Sequence, residues 1–119
     1  MKWEVLKHFS RELDTNFDIY KYVNKNYKGG ETVCIISNPY LIVEFLYQIY
    51  QNNPENLSYV HEVILRYSVS EYRGWGPQKS YLYINREFAE KIKLQGHFRW
   101  LDKGWGDFSA SLTYDLSNL

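Results

Sequence analysis

Apolar residues in the first 30 positions recur every three or four residues, as they do along one side of a helix. The first such row, with charged residues between its members, comprises Trp3, Leu6, Phe9 and Leu13. A second row comprises Ile19, Val23 and Tyr27. The pattern predicts two helices, the second of which ends at Gly29-Gly30 because glycine readily adopts the left-handed conformation that terminates helices.

The next segment predicts a strand followed by a helix. β-branched residues dominate from Thr32 to Ile36, which favours a strand, and Cys34 within it is expected to be buried. Ser37-Asn38-Pro39 is a typical helix start, since Ser or Asn can cap free amides and Pro fits the first turn. Asn52-Asn53-Pro54 ends this helix. Its broad apolar face, suited to packing on a sheet, consists of Leu41, Ile42, Phe45, Leu46, Ile49 and Tyr50.

The second half of the chain alternates mainly between apolar and polar positions. Tyr59 to Val69 has the period of two that a half-buried strand requires, although Val60 and Ile64 interrupt its polar side. Four further predicted elements follow. They are a strand from Ser80 to Ile84, a helix from Arg86 to Ile92 with Gly96 as its stop, and strands from His97 to Leu101 and from Phe108 to Tyr114.

Together these elements predict one α+β domain over residues 1–119, with a mostly antiparallel sheet of about five strands covered by helices. The longest apolar run, Tyr40 to Tyr47, contains Glu44 and is far shorter than the roughly 20 residues that a transmembrane helix needs. The charged N-terminal segment lacks the apolar stretch of a secretory signal. We therefore expect a cytoplasmic protein without a membrane partner.

Charge and cysteine content narrow the possible functions. Fourteen basic residues balance fourteen acidic ones, and neither half of the chain has a marked excess, which disfavours a nucleic-acid partner. The single cysteine and three separate histidines give no metal-binding spacing, so neither a metal nor another cofactor is predicted. The 18% aromatic content has two interpretations, a binding surface, because tyrosine and tryptophan are enriched where proteins meet, or the general composition of a proteome rich in Ile, Asn, Lys and Tyr.

A short repeat supplies the candidate binding residues. Arg73-Gly74-Trp75-Gly76 and Lys103-Gly104-Trp105-Gly106 share a basic-Gly-Trp-Gly pattern, and each lies between two predicted strands. A tryptophan between glycines either folds back onto the core or projects as a contact residue. The sequence leaves both alternatives open, and it also leaves open whether the two loops lie at the same end of the sheet. The candidate binding residues are Tyr72, Arg73, Trp75, Lys103 and Trp105.

Two enzyme hypotheses rest on weaker patterns. The segment from Tyr72 to Gly76 resembles the phosphate-binding loop of acetyl-CoA-dependent N-acetyltransferases, but Pro77 removes an amide and Gln78 replaces the small residue that the family requires. The other hypothesis places a nuclease- or acyltransferase-like site near His97, assisted by Arg99 or Lys103. No catalytic motif accompanies either pattern, so the sequence predicts a protein that is not an enzyme.

The resulting function prediction is a small protein-binding domain, such as an intracellular inhibitor, immunity or adaptor protein. Another protein is the predicted partner, and a homodimer is possible because a tyrosine-rich sheet can pair with a copy of itself. A single-stranded nucleic-acid binder is the alternative, with bases stacked on exposed rings and phosphates held by basic residues. Those basic residues are Arg66, Arg73, Arg99 and Lys103.

Overall fold

A computed structural model describes residues 19–66, 79–100 and 108–119, and all elements given below lie in these ranges. The predicted helix containing Trp3 and Leu13 lies outside them. The elements in chain order are β1 (Ile19–Val23), β2 (Thr32–Ser37), α1 (Pro39–Asn52), a 3₁₀ helix (Pro54–Tyr59), β3 (Val60–Arg66), β4 (Ser80–Asn85), α2 (Arg86–Lys91), β5 (Gln95–Trp100) and β6 (Phe108–Thr113).

The first four strands form one antiparallel sheet in the order β1-β3-β4-β2. Strand β4 lies at its centre with β3, and it is paired with β2 on the other side. Strands β5 and β6 form a separate antiparallel hairpin. The predicted α+β class with a mostly antiparallel sheet is confirmed.

The prediction of a second helix was wrong, because Ile19–Val23 is strand β1. It pairs with β3 so that Ile19 lies opposite Arg66 and Val23 lies opposite Glu62. Residues four apart share a side in a helix and also in a strand, so the spacing of Ile19 and Val23 fits both structures. This extra strand is why the structure has six strands instead of about five.

Helix α1 begins and ends where the sequence predicted. The Asn38 side chain accepts a hydrogen bond of 2.9 Å from the Leu41 amide, and Pro39 occupies the first turn. Asn53 follows the last helical residue, Asn52. Four residues of the predicted broad face are buried, namely Ile42, Phe45, Leu46 and Ile49, together with Pro39 and Val43, which were not predicted. Leu41 and Tyr50 are only partly buried. No helix in the described ranges is long and apolar enough to cross a bilayer.

One core is formed between α1 and one face of the sheet. The strands contribute Val63 and Leu65 from β3 and Leu82 and Ile84 from β4, all of which are buried. Full burial of each such side chain contributes about 1.5 to 3 kcal/mol. Phe88 and Ile92 extend the core beneath α2. We call the opposite face of the four-stranded sheet the outer face.

A β-bulge explains the interrupted alternation of β3. The β3–β4 register shifts between Val60 and Glu62, so Val60 and Val63 are both buried although they are three positions apart, a spacing that in a regular strand places residues on opposite faces. His61 is half-buried and stacks on the Tyr27 ring with centroids 4.6 Å apart. The bulge therefore permits Val60 to be buried without changing the faces of the following residues.

Gly96, which was predicted to stop a helix, lies instead in β5, and this prediction was wrong. Helix α2 ends earlier, and Lys93 has the left-handed φ of 53° that follows its last turn. At Gly96 the hairpin approaches β2 so closely that a Cβ atom would overlap Ile35 Cγ2 and come within 2.8 Å of the Ile36 carbonyl oxygen. Glycine is needed here for the close approach of two backbones.

A buried asparagine connects β1 to the segment before β3. Asn24 Nδ2 donates hydrogen bonds to the carbonyls of Leu57, at 3.2 Å, and Val60, at 2.9 Å. Its Oδ1 accepts from the Asn26 amide at 2.9 Å. Because Asn24 is only 5% exposed, water cannot replace these three bonds without a structural change.

We expect Asn24→Ala to lower the free energy of unfolding by about 2 to 3 kcal/mol, because it leaves two carbonyls and one amide without their partner. Urea denaturation monitored by circular dichroism measures this change. Asn26→Ala is the matched control, since its side chain is exposed, and we expect it to change stability by less than about 0.5 kcal/mol. Equal stability of the two variants would contradict the assignment.

We expect Gly96→Ala to destabilise the protein by about 1 to 3 kcal/mol, because the added methyl group forces β5 away from β2. Urea denaturation monitored by circular dichroism also measures this change in the free energy of unfolding. Gln95→Ala serves as the control, as this residue is exposed on the same strand. Wild-type stability of Gly96→Ala would show that the hairpin does not pack against β2 in this way.

Candidate interaction surface

The outer face carries two complete rows of side chains across the four strands. One row runs from β2 to β1 through Cys34, Tyr83, Glu62 and Val23. The adjacent row consists of Ile36, Tyr81, Ile64 and Lys21. All eight side chains are at least partly exposed, in contrast to the buried residues of the core face. The outer face is thus a mixed apolar and aromatic surface.

The charges on this face are few and mostly paired. Lys21 Nζ lies 3.1 Å from Glu62 Oε1, and the two side chains are 59% and 20% exposed. Arg66 is exposed at the end of β3, next to Ile19. These three residues give the outer face a net charge of about +1 at neutral pH.

Cys34 lies on the outer face, and the prediction that it is buried was wrong. Burial of part of its surface raises the pKa of the Cys34 thiol, and a hydrogen bond with the Tyr83 side chain opposes this increase. The pKa of Tyr83 is raised by the nearby charge of Cys34 and by the same hydrogen bond. The thiol is therefore accessible but carries little thiolate at neutral pH, which makes it a weak nucleophile.

The five predicted binding residues, Tyr72, Arg73, Trp75, Lys103 and Trp105, lie outside the described residues. The strands that flank them are described. The Arg66 amide donates a hydrogen bond of 2.9 Å to Ser80 Oγ, which holds together the two ends of segment 67–78. Trp100 lies opposite Phe108 at the two ends of segment 101–107.

The two segments leave the fold at the same end. Strand β5 packs against β2, with Gly96 against Ile35 and Ile36. Further along, Ser37 Oγ donates to the Ser111 carbonyl at 3.1 Å, and Lys79 Nζ lies 5.9 Å from the centroid of the Phe98 ring. Lys79 directly precedes β4. We call this end, marked by Arg66, Ser80 and Trp100, the hairpin end.

The residues of the enzyme hypothesis lie on β5. His97 and Arg99 are exposed and two positions apart, so their side chains project to the same side of the hairpin. Across the strands, His97 lies opposite Ser111 and Arg99 opposite Ser109. Within the described ranges, no group of three or more His, Cys, Asp and Glu side chains is arranged to hold a metal ion.

A groove of about 420 Å³ lies at the other end of the sheet and was not predicted from the sequence. Lys28 Nζ is 5.3 Å from the centroid of the Tyr59 ring, and Tyr59 also stacks on Phe88. An exposed ion pair of 2.9 Å joins Arg86 to Glu31 on the wall of the groove. Gly29-Gly30 was a visible turn signal, but the sequence did not show which residues it would meet.

We expect Tyr83→Phe to slow the reaction of Cys34 with a thiol reagent at any fixed pH between 7 and 9. Removal of the hydroxyl removes the hydrogen bond that lowers the thiol pKa, so the pKa rises and the thiolate fraction falls. The measurement is the reaction rate as a function of pH. Tyr81→Phe, in the adjacent row, is the control and should retain the wild-type profile. A faster reaction of Tyr83→Phe would exclude the hydrogen bond.

In a comparison with known proteins, no family model, curated protein or solved structure matches this chain.

Proposed function

We propose that this protein is a non-enzymatic protein-binding domain that acts in the cytoplasm as an inhibitor, immunity or adaptor protein. Its predicted contact residues are Tyr72, Arg73 and Trp75 in one loop and Lys103 and Trp105 in the other. The aromatic side chains supply buried area, and the basic ones orient the partner. The proposal assigns no catalytic residue and no cofactor.

The observation that carries this proposal is the common exit of both segments at the hairpin end. Arg66 and Ser80 hold one segment, and β5 brings the other to the same region through the contact between Phe98 and Lys79. A standard-sized interface buries about 800 Å² per partner. Loops that start at one end of the sheet can contribute to a single surface of this size.

The described cations at this end indicate the chemistry of the partner. Arg66, Lys79 and Arg99 are all exposed there. Complementary charge increases the rate of association and selects among partners. We therefore propose a partner protein with an acidic surface.

The same three cations support a second candidate, a single-stranded nucleic acid. Phosphates would contact Arg66, Lys79 and Arg99 while bases stack on aromatic rings. This binding would weaken strongly with salt, because each neutralised phosphate releases counterions. The balanced overall charge favours the protein partner over this candidate.

We expect a Trp75→Ala, Trp105→Ala double variant to lose partner binding by at least about 100-fold, since single hot-spot residues contribute about 2 kcal/mol or more. The tagged wild-type protein first captures its partner from a lysate of the source organism, with and without nuclease. Affinity is then measured with the purified partner. Each single variant should lose less than the double variant if both loops contact one partner.

Lys28→Ala is the matched control, because this exposed residue lies in the groove at the other end of the sheet. Its affinity should equal that of the wild type. Capture that disappears after nuclease treatment and depends strongly on salt would favour the nucleic-acid candidate. Equal binding by the folded double variant and the wild type would overturn the proposed contact residues.

A further inference from the structure

Strand β1 is an edge strand whose outward backbone groups can be identified from the structure. The Asn24 amide donates to the His61 carbonyl at 2.8 Å, which fixes which residues of β1 point toward β3. Residues alternate along an antiparallel ladder, so Tyr20 and Tyr22 also bond to β3. The N–H and C=O groups of Ile19, Lys21 and Val23 therefore point away from the sheet.

Two of these three residues are the most exposed large apolar residues in the described part of the sheet. Ile19 is 60% exposed and Val23 is 48% exposed, and both are on the outer face. Leu119 is the other large hydrophobic residue that is exposed in the described ranges. Exposed apolar side chains thus coincide, on one strand, with backbone groups that have no strand partner among the described residues.

The opposite edge of the sheet is protected. Strand β5 lies against β2, with Gly96 packed on Ile35 and Ile36. By contrast, β1 contains no proline, and its single charged residue is Lys21, which is held by Glu62. Proteins usually protect an edge with prolines, bulges, inward charges or a covering element. In the four-stranded sheet, β1 is therefore the edge with the weaker protection.

Two kinds of strand could pair with this edge, namely β1 of a second copy of the chain and an extended segment of another protein. The charges near β1 favour the segment of another protein. Antiparallel pairing of β1 with a second copy, centred on the strand, would place Lys21 opposite Lys21, which is unfavourable. With Arg66 and Glu62 nearby, the outer face already has a net charge of about +1. An acidic residue opposite Lys21 complements this charge.

We propose that β1 binds an extended segment of another protein as an added antiparallel strand, with an acidic residue opposite Lys21 and apolar residues opposite Ile19 and Val23. Main-chain hydrogen bonds supply affinity in this mode of recognition, and alternate side chains supply specificity. The site uses none of the loop residues in the proposed function, so either proposal can fail without the other. Because Ile19 lies opposite Arg66, the site adjoins the hairpin end.

The probe is a synthetic peptide with the sequence valine, threonine, glutamate, threonine and valine, added at millimolar concentration to the ¹⁵N-labelled protein. We expect amide hydrogen exchange to slow by at least about tenfold at Ile19, Lys21 and Val23 and to remain unchanged at Tyr20 and Tyr22, which are already bonded to β3. A lysine in place of the glutamate should weaken binding by about tenfold, because it places like charges opposite each other.

Lys21→Pro is the decisive variant, because proline removes an outward N–H and leaves the ladder to β3 intact. It should abolish peptide binding. Lys21→Ala, which retains the N–H but loses the charge, should bind the glutamate and lysine peptides about equally. A peptide N-methylated on its hydrogen-bonding amides tests the same point without altering the protein, and it should not bind even if Lys21→Pro fails to fold.

Three outcomes would overturn the proposal: no slowing of exchange at the outward amides, equal binding of the N-methylated peptide, or binding that Lys21→Pro leaves unchanged. Slow exchange of the same amides in the free protein, together with a dimer in analytical ultracentrifugation, would assign the edge to a second copy and would also overturn it. Loss of loop-dependent partner binding with peptide binding intact would affect the proposed function alone.

Discussion

The burial of Leu82 and Ile84 of β4 beneath helix α1 is the constraint on which the rest of the sheet depends. Strand β4 pairs with β2 on one side and β3 on the other, so the inward direction of these two side chains sets the faces of both neighbours. A register slip of one residue would expose the apolar set and bury Tyr81 and Tyr83. The position of every outer-face residue follows from this packing.

Helix and strand periods determine how much of the fold can be predicted from the sequence. Helix α1 was predicted at both ends because Asn38 and Pro39 are strong start signals and the apolar face is broad. Strand β1 was misassigned because its apolar residues are four apart, a spacing that helices and strands share. Burial, which distinguishes the two, depends on partners that are distant in the sequence.

The candidate surfaces depend even more on such distant contacts. The composition of β2 predicted a strand, but only the pairing of Cys34 with Tyr83 places the thiol on the outer face. The role of Gly96 also could not be read from the sequence alone, because glycine fits a helix end as well as a close approach to another strand. For the loop motifs, the sequence supplied the residues, and the contact between Phe98 and Lys79 shows only that residues flanking the two loops lie close together.

The packing of β5 on β2 has a consequence for assembly. A sheet that is accessible from two sides can receive a strand on each and so grow without limit into a filament. Here the hairpin packs against β2, so among the described strands of the four-stranded sheet it is β1 that offers an edge for a further strand. A sheet that can be extended at one edge alone does not pass the pairing on from copy to copy, so a complex formed through β1 has a finite size.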